Sequence, residues 1–134
     1  MEAKKSSEMI KNAEIIYPEL SRKIDGAAFN VLNTLGCGFL EKIYENAMVV
    51  ELMSMGLKCT QQVPFKMFYK NAEVGSYVAD LVVEDRVLLE LKTVDVVTPV
   101  HKAKTMNYPH CSKLRLAIIM NFARPRLEYE RIVL

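Results

Sequence analysis

Two stretches in the first half of the chain repeat their apolar residues at the period of a helix. In SRKIDGAAFNVLNTLG, Ile24, Ala28, Val31 and Leu35 recur at spacings of four, three and four, and Gly36 stops the stripe. In GFLEKIYENAMVVELMSMG, Tyr44, Met48, Leu52 and Met55 form a stripe that Ile43, Ala47 and Val50 widen and Gly56 ends. A helix apolar over so much of its circumference is expected to be packed on more than one side. After Gly56 the period becomes that of strands. LKCTQQVPFKMFYK predicts a strand at an edge or with a bulge, because Pro64 has no N–H to give a ladder. NAEVG predicts a turn, SYVADLVVE a second strand, EDR a tight turn and VLLELKT a third strand. TPVHKAKTMNYPHCS predicts a helix capped by Thr98, with Pro99 in its first turn and Pro109 ending or kinking it near Tyr108. LRLAIIMNF predicts a buried strand and LEYERIVL a last one. The order is α-α-β-β-β-α-β-β, without internal repeats. Residues 1–20, mixed in charge, are expected to be an N-terminal extension, and residues 21–134 one domain.

The chain of 134 residues is long enough for one compact core, and its 51% hydrophobic and 25% charged content is that of an ordinary globular protein. No apolar run can span a bilayer, and the polar start MEAKKSSEMIKNAE has no apolar signal-peptide core, so no membrane partner and a cytoplasmic location are expected. Cys37, Cys59 and Cys111 are odd in number, widely spaced and free of any CxxC pairing. That pattern argues against a disulfide framework or a zinc site and predicts three small buried apolar residues. The net charge is only +2, but its distribution is uneven. Between Val96 and Leu127 there is no Asp or Glu, while Lys102, Lys104, Lys113, Arg115, Arg124 and Arg126 all occur. Such a stretch either forms a basic face that attracts phosphates or is a solvated surface with no partner; charge alone does not choose.

The third strand carries the chemistry. Within DRVLLELKT, Val87, Leu89 and Leu91 point one way while Leu88, Glu90 and Lys92 point the other. The preceding strand puts Val78, Asp80 and Val82 on one face, and a tight turn at Asp85 makes the two strands a hairpin that brings Asp80 near Glu90. Two carboxylates in the middle of a half-buried sheet repel each other unless something neutralises them. Hard oxygen donors favour Mg²⁺ or Mn²⁺, completed by water and a phosphate oxygen. Lys92 would orient or deprotonate an attacking water, or stabilise developing negative charge. The plainer alternative is a solvent-facing salt bridge between Glu90 and Lys92.

With these residues in place, the chain resembles a known family. GFLEKIYE holds Gly38, Glu41 and Tyr44 at the spacing of the GxxExxY proteins, small bacterial and archaeal members of the PD-(D/E)XK nuclease superfamily. The resemblance runs from about Ile24 to Leu134 and includes YVADLVVEDRVLLELKT, TPVHKAKTMNY, LAIIMNF and RIVL. It implies a restriction-endonuclease-like α/β core, a mixed β-sheet flanked by helices. It matches Asp80, Glu90 and Lys92 to the D…ExK motif, with Asp80 and Glu90 as metal ligands, and Glu41 to an extra acidic residue on the first core helices. The implied function is metal-dependent hydrolysis of phosphodiester bonds in nucleic acid. Lys102, Lys104, Lys113 and Arg115 would bind phosphates; DNA is favoured over RNA, and a homodimer is admitted. The alternative is a catalytically degenerate module that keeps the fold and binds nucleic acid or protein. Three departures stand out. Cys37 takes the place of a usual proline, Pro109 that of a usual leucine, and Lys104 that of a glutamine that supports the catalytic cluster in related nucleases. A lysine at that place would pair with Glu41 or Glu90, bind phosphate, or compete with the metal. His101 and His110 are expected to be exposed helix residues, Tyr44 a packed residue with a capped hydroxyl, and Met48, Met53 and Met55 core filler.

Overall fold

The computed structural model describes residues 16–107 and 112–134; the expectations for residues 1–15 and for Tyr108, Pro109, His110 and Cys111 lie outside the described residues. Two helices, α1 (Pro18–Leu35) and α2 (Glu41–Ser54), precede three strands, β1 (Cys59–Tyr69), β2 (Ala72–Val83) and β3 (Val87–Lys92). Helix α3 (Pro99–Asn107) then leads to β4 (Leu116–Asn121) and β5 (Glu128–Val133). The element order is the one the periodicity predicts.

The five strands form one sheet in the order β1-β2-β3-β4-β5. The β3–β4 pair is parallel, as a crossover through α3 requires, and the other pairs are antiparallel. Helices α1 and α2 cover one face. Ile24, Ala28, Val31, Tyr44, Met48 and Leu52 pack there against Leu81, Leu89, Leu91, Ile118 and Phe122. Tyr44, Met48 and Leu52 are fully buried, each contributing about 1.5–3 kcal/mol of transfer free energy. The opposite face has its own smaller core of Ala79, Val82, Leu88, Ala117, Ile119 and Ile132.

Several local expectations are corrected. Helix α2 is not packed all round: Val50 is 70% and Met53 62% exposed, and Met55 just after it also reaches solvent, as does Leu35 at the end of α1. Among the described residues no element covers that side, so apolar character alone overstated the burial. The first hairpin turns at Lys70–Asn71, both with positive φ, and Ala72 to Gly75 belong to β2. The two-residue turn needs left-handed backbone, which asparagine tolerates. Pro64 lies on an edge strand as expected, yet the register shift falls between Met67 and Phe68. Cys37 is exposed and Cys59 only half-buried. His101 is half-buried and acts in the cap of α3: its Nδ1 accepts the Thr98 N–H at 3.1 Å, and Thr98 Oγ1 accepts the His101 N–H at 3.3 Å.

β1 and β2 are much longer than β3, and this positions everything that follows. β2 pairs with β1 from Ala72 to Val83 but with β3 only over Leu81 to Val83. The sheet therefore forks at Asp80.

Candidate active site at the strand fork

At the fork the carboxylates replace the missing ladder. Leu91 N–H donates to Asp80 Oδ2 at 2.8 Å, and Asp80 N–H approaches Glu90 Oε1 at 3.4 Å. The sequence-predicted pair is thus brought together, each side chain bonded to the other strand's backbone. The turn that sets this register is closed by Arg86 N–H donating to Val83 C=O at 3.0 Å, with Glu84 and Asp85 both at positive φ.

The strict alternation expected for β2 fails at the site. Ala79 and Val82 share the smaller core, while Leu81 and Val83 share the larger one. The flip lies around Asp80, whose carboxyl faces α2 across a cleft of ≈ 400 Å³ lined by Leu40, Glu41, Lys42, Glu45, Asp80 and Leu91. Glu41 stands in the first turn of α2 and accepts the Thr93 N–H at 3.2 Å, which anchors the helix start to the end of β3. Tyr44, one turn further on, donates its hydroxyl to Gly36 C=O at 2.6 Å and accepts the Phe39 N–H at 3.3 Å. Its ring stacks on Phe122 at 4.7 Å. The Gly38, Glu41 and Tyr44 spacing therefore has a structural content: a left-handed glycine (φ 101) turns the chain, a tyrosine ties the turn down, and a glutamate faces the site.

Glu90 is only 6% exposed. Burial pushes its pKa up from 4.5 to about 7, the Asp80 charge adds to the rise, and Tyr77 and Lys92 oppose it. The Asp80 carboxyl is raised too, first by burial; its bond from Leu91 lowers it, Glu45 and Glu41 raise it, and Lys92 lowers it. Lys92 thus acts on both carboxylates as their neighbouring cation, but no ion pair joins it to Glu90 among the described residues, and Glu90 does not face solvent. The solvent-facing salt bridge is set aside.

Lys104 is not among the charges that shift Asp80 or Glu90. It is exposed, and the buried residue of α3 is its neighbour Thr105. Tyr77, whose hydroxyl is raised by burial and by Glu90, lies between Glu90 and Thr105. Of the basic residues, Lys102 is paired with Glu130 at 2.8 Å and Arg124 with Glu128 at 3.0 Å, while Lys113 and Arg115 are exposed. Acidic residues on β5 thus neutralise part of the basic stretch.

Sequence reasoning missed Glu45, Tyr77, Thr105 and Asn121. Glu45 is 4% exposed and saturated with donors. Asn121 is also buried; its Nδ2 donates to Val94 C=O at 2.7 Å and its Oδ1 accepts the Val94 N–H at 3.1 Å, clipping the loop after β3. The one available signal was position: Glu45 is four residues after Glu41, hence on the same helix face.

Among the described residues no group of three or more His, Cys, Asp or Glu is gathered closely enough to hold a metal ion. The donor chemistry still fits a hard divalent cation: Asp80 and Glu90 offer carboxylate oxygens, and Glu90 is buried beside a like charge that a cation would neutralise. No helix among the described residues is long and apolar enough to cross a membrane.

Residues 18–132 match a family model described as the PD-(D/E)XK nuclease superfamily. No curated protein and no solved structure matches the chain.

Proposed function

The chain belongs to the PD-(D/E)XK nuclease superfamily, and from that premise we propose that it is a metal-dependent nuclease hydrolysing phosphodiester bonds of nucleic acid. The observation that carries this reading is the reciprocal placement of Asp80 and Glu90 at the fork, with Lys92 as the neighbouring cation. Nucleases of this superfamily are generally dependent on divalent metal, which supports Mg²⁺ or Mn²⁺ as the cofactor. When bound, such an ion lowers the pKa of water and neutralises phosphate charge.

The chain's own residues divide the remaining work. Asp80 and Glu90 would hold the cation. Lys92 would hold or accept a proton at Nζ near the attacking water, or stabilise charge on the phosphate as it develops. Glu41, exposed at the rim of the cleft, would orient water. Lys113 and Arg115, exposed and free of the β5 acids that take up Lys102, are the better phosphate contacts. The narrower kinship with the GxxExxY proteins rests on Gly38, Glu41 and Tyr44, and DNA is the favoured substrate.

Cleavage of single- and double-stranded DNA and RNA in Mn²⁺, compared between the wild type and Asp80→Asn, tests the reading. Cleavage that needs the metal and is lost in Asp80→Asn is expected. Metal-dependent binding without cleavage would favour the degenerate module, and cleavage unchanged in Asp80→Asn would remove Asp80 from the site.

A further inference from the structure

Gln61 and Gln62 are consecutive in a strand, so their side chains should point to opposite faces. Both instead reach one carboxylate. Gln61 Nε2 donates to Glu45 Oε2 at 2.6 Å, and Gln62 Nε2 donates to Glu45 Oε1 at 2.7 Å. Lys42 Nζ completes the set on Oε2 at 2.7 Å. What allows this is the backbone of Gln62, which is left-handed with φ 52. A non-glycine residue at positive φ inside a strand is unfavourable and persists only where its surroundings hold it.

The place of this kink is informative. The β1–β2 ladder pairs Gln61 with Leu81 and Val63 with Ala79, and omits the pair between them. The residue opposite Gln62 in that gap is Asp80. The β2 alternation breaks at the same level, between Ala79 and Val82. The two strands are therefore kinked together, and the kink turns the Asp80 carboxyl toward α2 and the Leu91 N–H.

We propose that Glu45 is a positioning residue: by bonding Gln61 and Gln62 it holds β1 in the left-handed kink that aims the Asp80 carboxylate. The inference rests on reading Asp80 as a site carboxylate, but its test needs neither metal nor substrate. Glu45 sits on α2, so the strut also couples the helix that carries Glu41 to β1, the strand paired with the one that carries Asp80. Its two oxygens are occupied by donors from this chain, which separates it from Asp80 and Glu90 as a holder of geometry.

Amide hydrogen exchange at Leu91, whose N–H is bonded to Asp80, reports the aim directly. In metal-free protein, Glu45→Gln should lower Leu91 protection by about tenfold, since the amide retains one acceptor for donors that now compete. Adding Gln62→Gly to Glu45→Gln should restore it, because glycine adopts left-handed backbone without a strut. If Glu45→Gln fails to fold, Gln62→Ala and Gln62→Gly serve instead. Alanine should lose protection at Leu91 and glycine should keep it, although both lack the side-chain amide. Unchanged protection in Glu45→Gln, or no rescue by glycine, would overturn the proposal. A Leu91 response as expected in a protein that neither binds Mn²⁺ nor cleaves nucleic acid would retain the strut and reject the nuclease reading.

Discussion

Replacing Glu90 by glutamine should stabilise the metal-free protein at alkaline pH and have much less effect at acid pH. The carboxyl is buried behind Asp80, and its pKa stands at about 7 in the fold against 4.5 in the open chain. A raised carboxyl pKa means that the folded state holds the proton more tightly than the unfolded one. The contribution is fully present below 4.5 and is lost as pH rises to about 7, levelling off above it. The displacement from 4.5 to about 7 corresponds to about 3 kcal/mol. Asp80 and Asp25, raised chiefly by burial, add to the loss in the same direction. Because Asp80 and Glu90 interact, the titration belongs to the pair, and Glu90→Gln should also relieve part of the Asp80 rise. Urea denaturation in EDTA at about pH 5 and about pH 8 measures it. The wild type should lose about 2.5 kcal/mol through Glu90 between the two conditions, with Asp80 and Asp25 adding to it, and Glu90→Gln should lose much less. Adding Mn²⁺ to the wild type at the higher pH should recover stability, since the ion neutralises the charge that burial penalises. Equal losses in the wild type and Glu90→Gln would refute the assignment of a protonated, buried Glu90.

Other expectations follow from single contacts. Tyr44→Phe leaves Gly36 C=O and Phe39 N–H without the hydroxyl and should cost about 1–3 kcal/mol in urea denaturation, with the ring stack on Phe122 intact. Lys104→Gln should leave a Mn²⁺ titration unchanged, because Lys104 is exposed; tighter binding would place the lysine at the carboxylates after all. Replacing Lys113 and Arg115 by alanine should flatten the salt dependence of nucleic-acid binding by about one unit per lost phosphate contact, and an unchanged slope would reject them as contacts.

What the sequence made legible was local. The stripes through Ile24, Ala28 and Val31 and through Tyr44, Met48 and Leu52 are read within one helix, and they face the core as expected. Asp80 and Glu90 could be paired because a tight turn leaves little freedom in counting back along two strands. Glu45 was not legible, because in EKIYENA it looks like a solvated helix residue; its burial depends on two glutamines from another element. The same holds for Tyr77, which meets Glu90 only across the fork, and for Thr105, which α3 delivers from elsewhere in the chain. Which of the three roles Lys104 takes was not legible, because a motif gives a residue's order but not its rotation about a short helix. Met53 and Met55 were misplaced because hydropathy states a preference for burial without supplying a neighbour.

The kink at Gln62 also bears on solubility. β1 is an outer strand of the sheet, and from Ala72 to Asp80 the far side of β2 has no partner in β3, so among the described residues this two-stranded ribbon presents backbone on both sides. Unpaired, straight, apolar strand edges recruit other chains into intermolecular sheets. Phe68, Tyr69 and Val74 are all exposed along the ribbon, which makes that hazard concrete. Between Thr60 and Phe68 the outer edge is never straight for long. Gln62 is left-handed, Pro64 has no N–H, Lys66 is charged, and the register shifts after Met67. The residue that turns Asp80 toward the site is thus also the first of four interruptions that keep copies of this ribbon from stacking on one another.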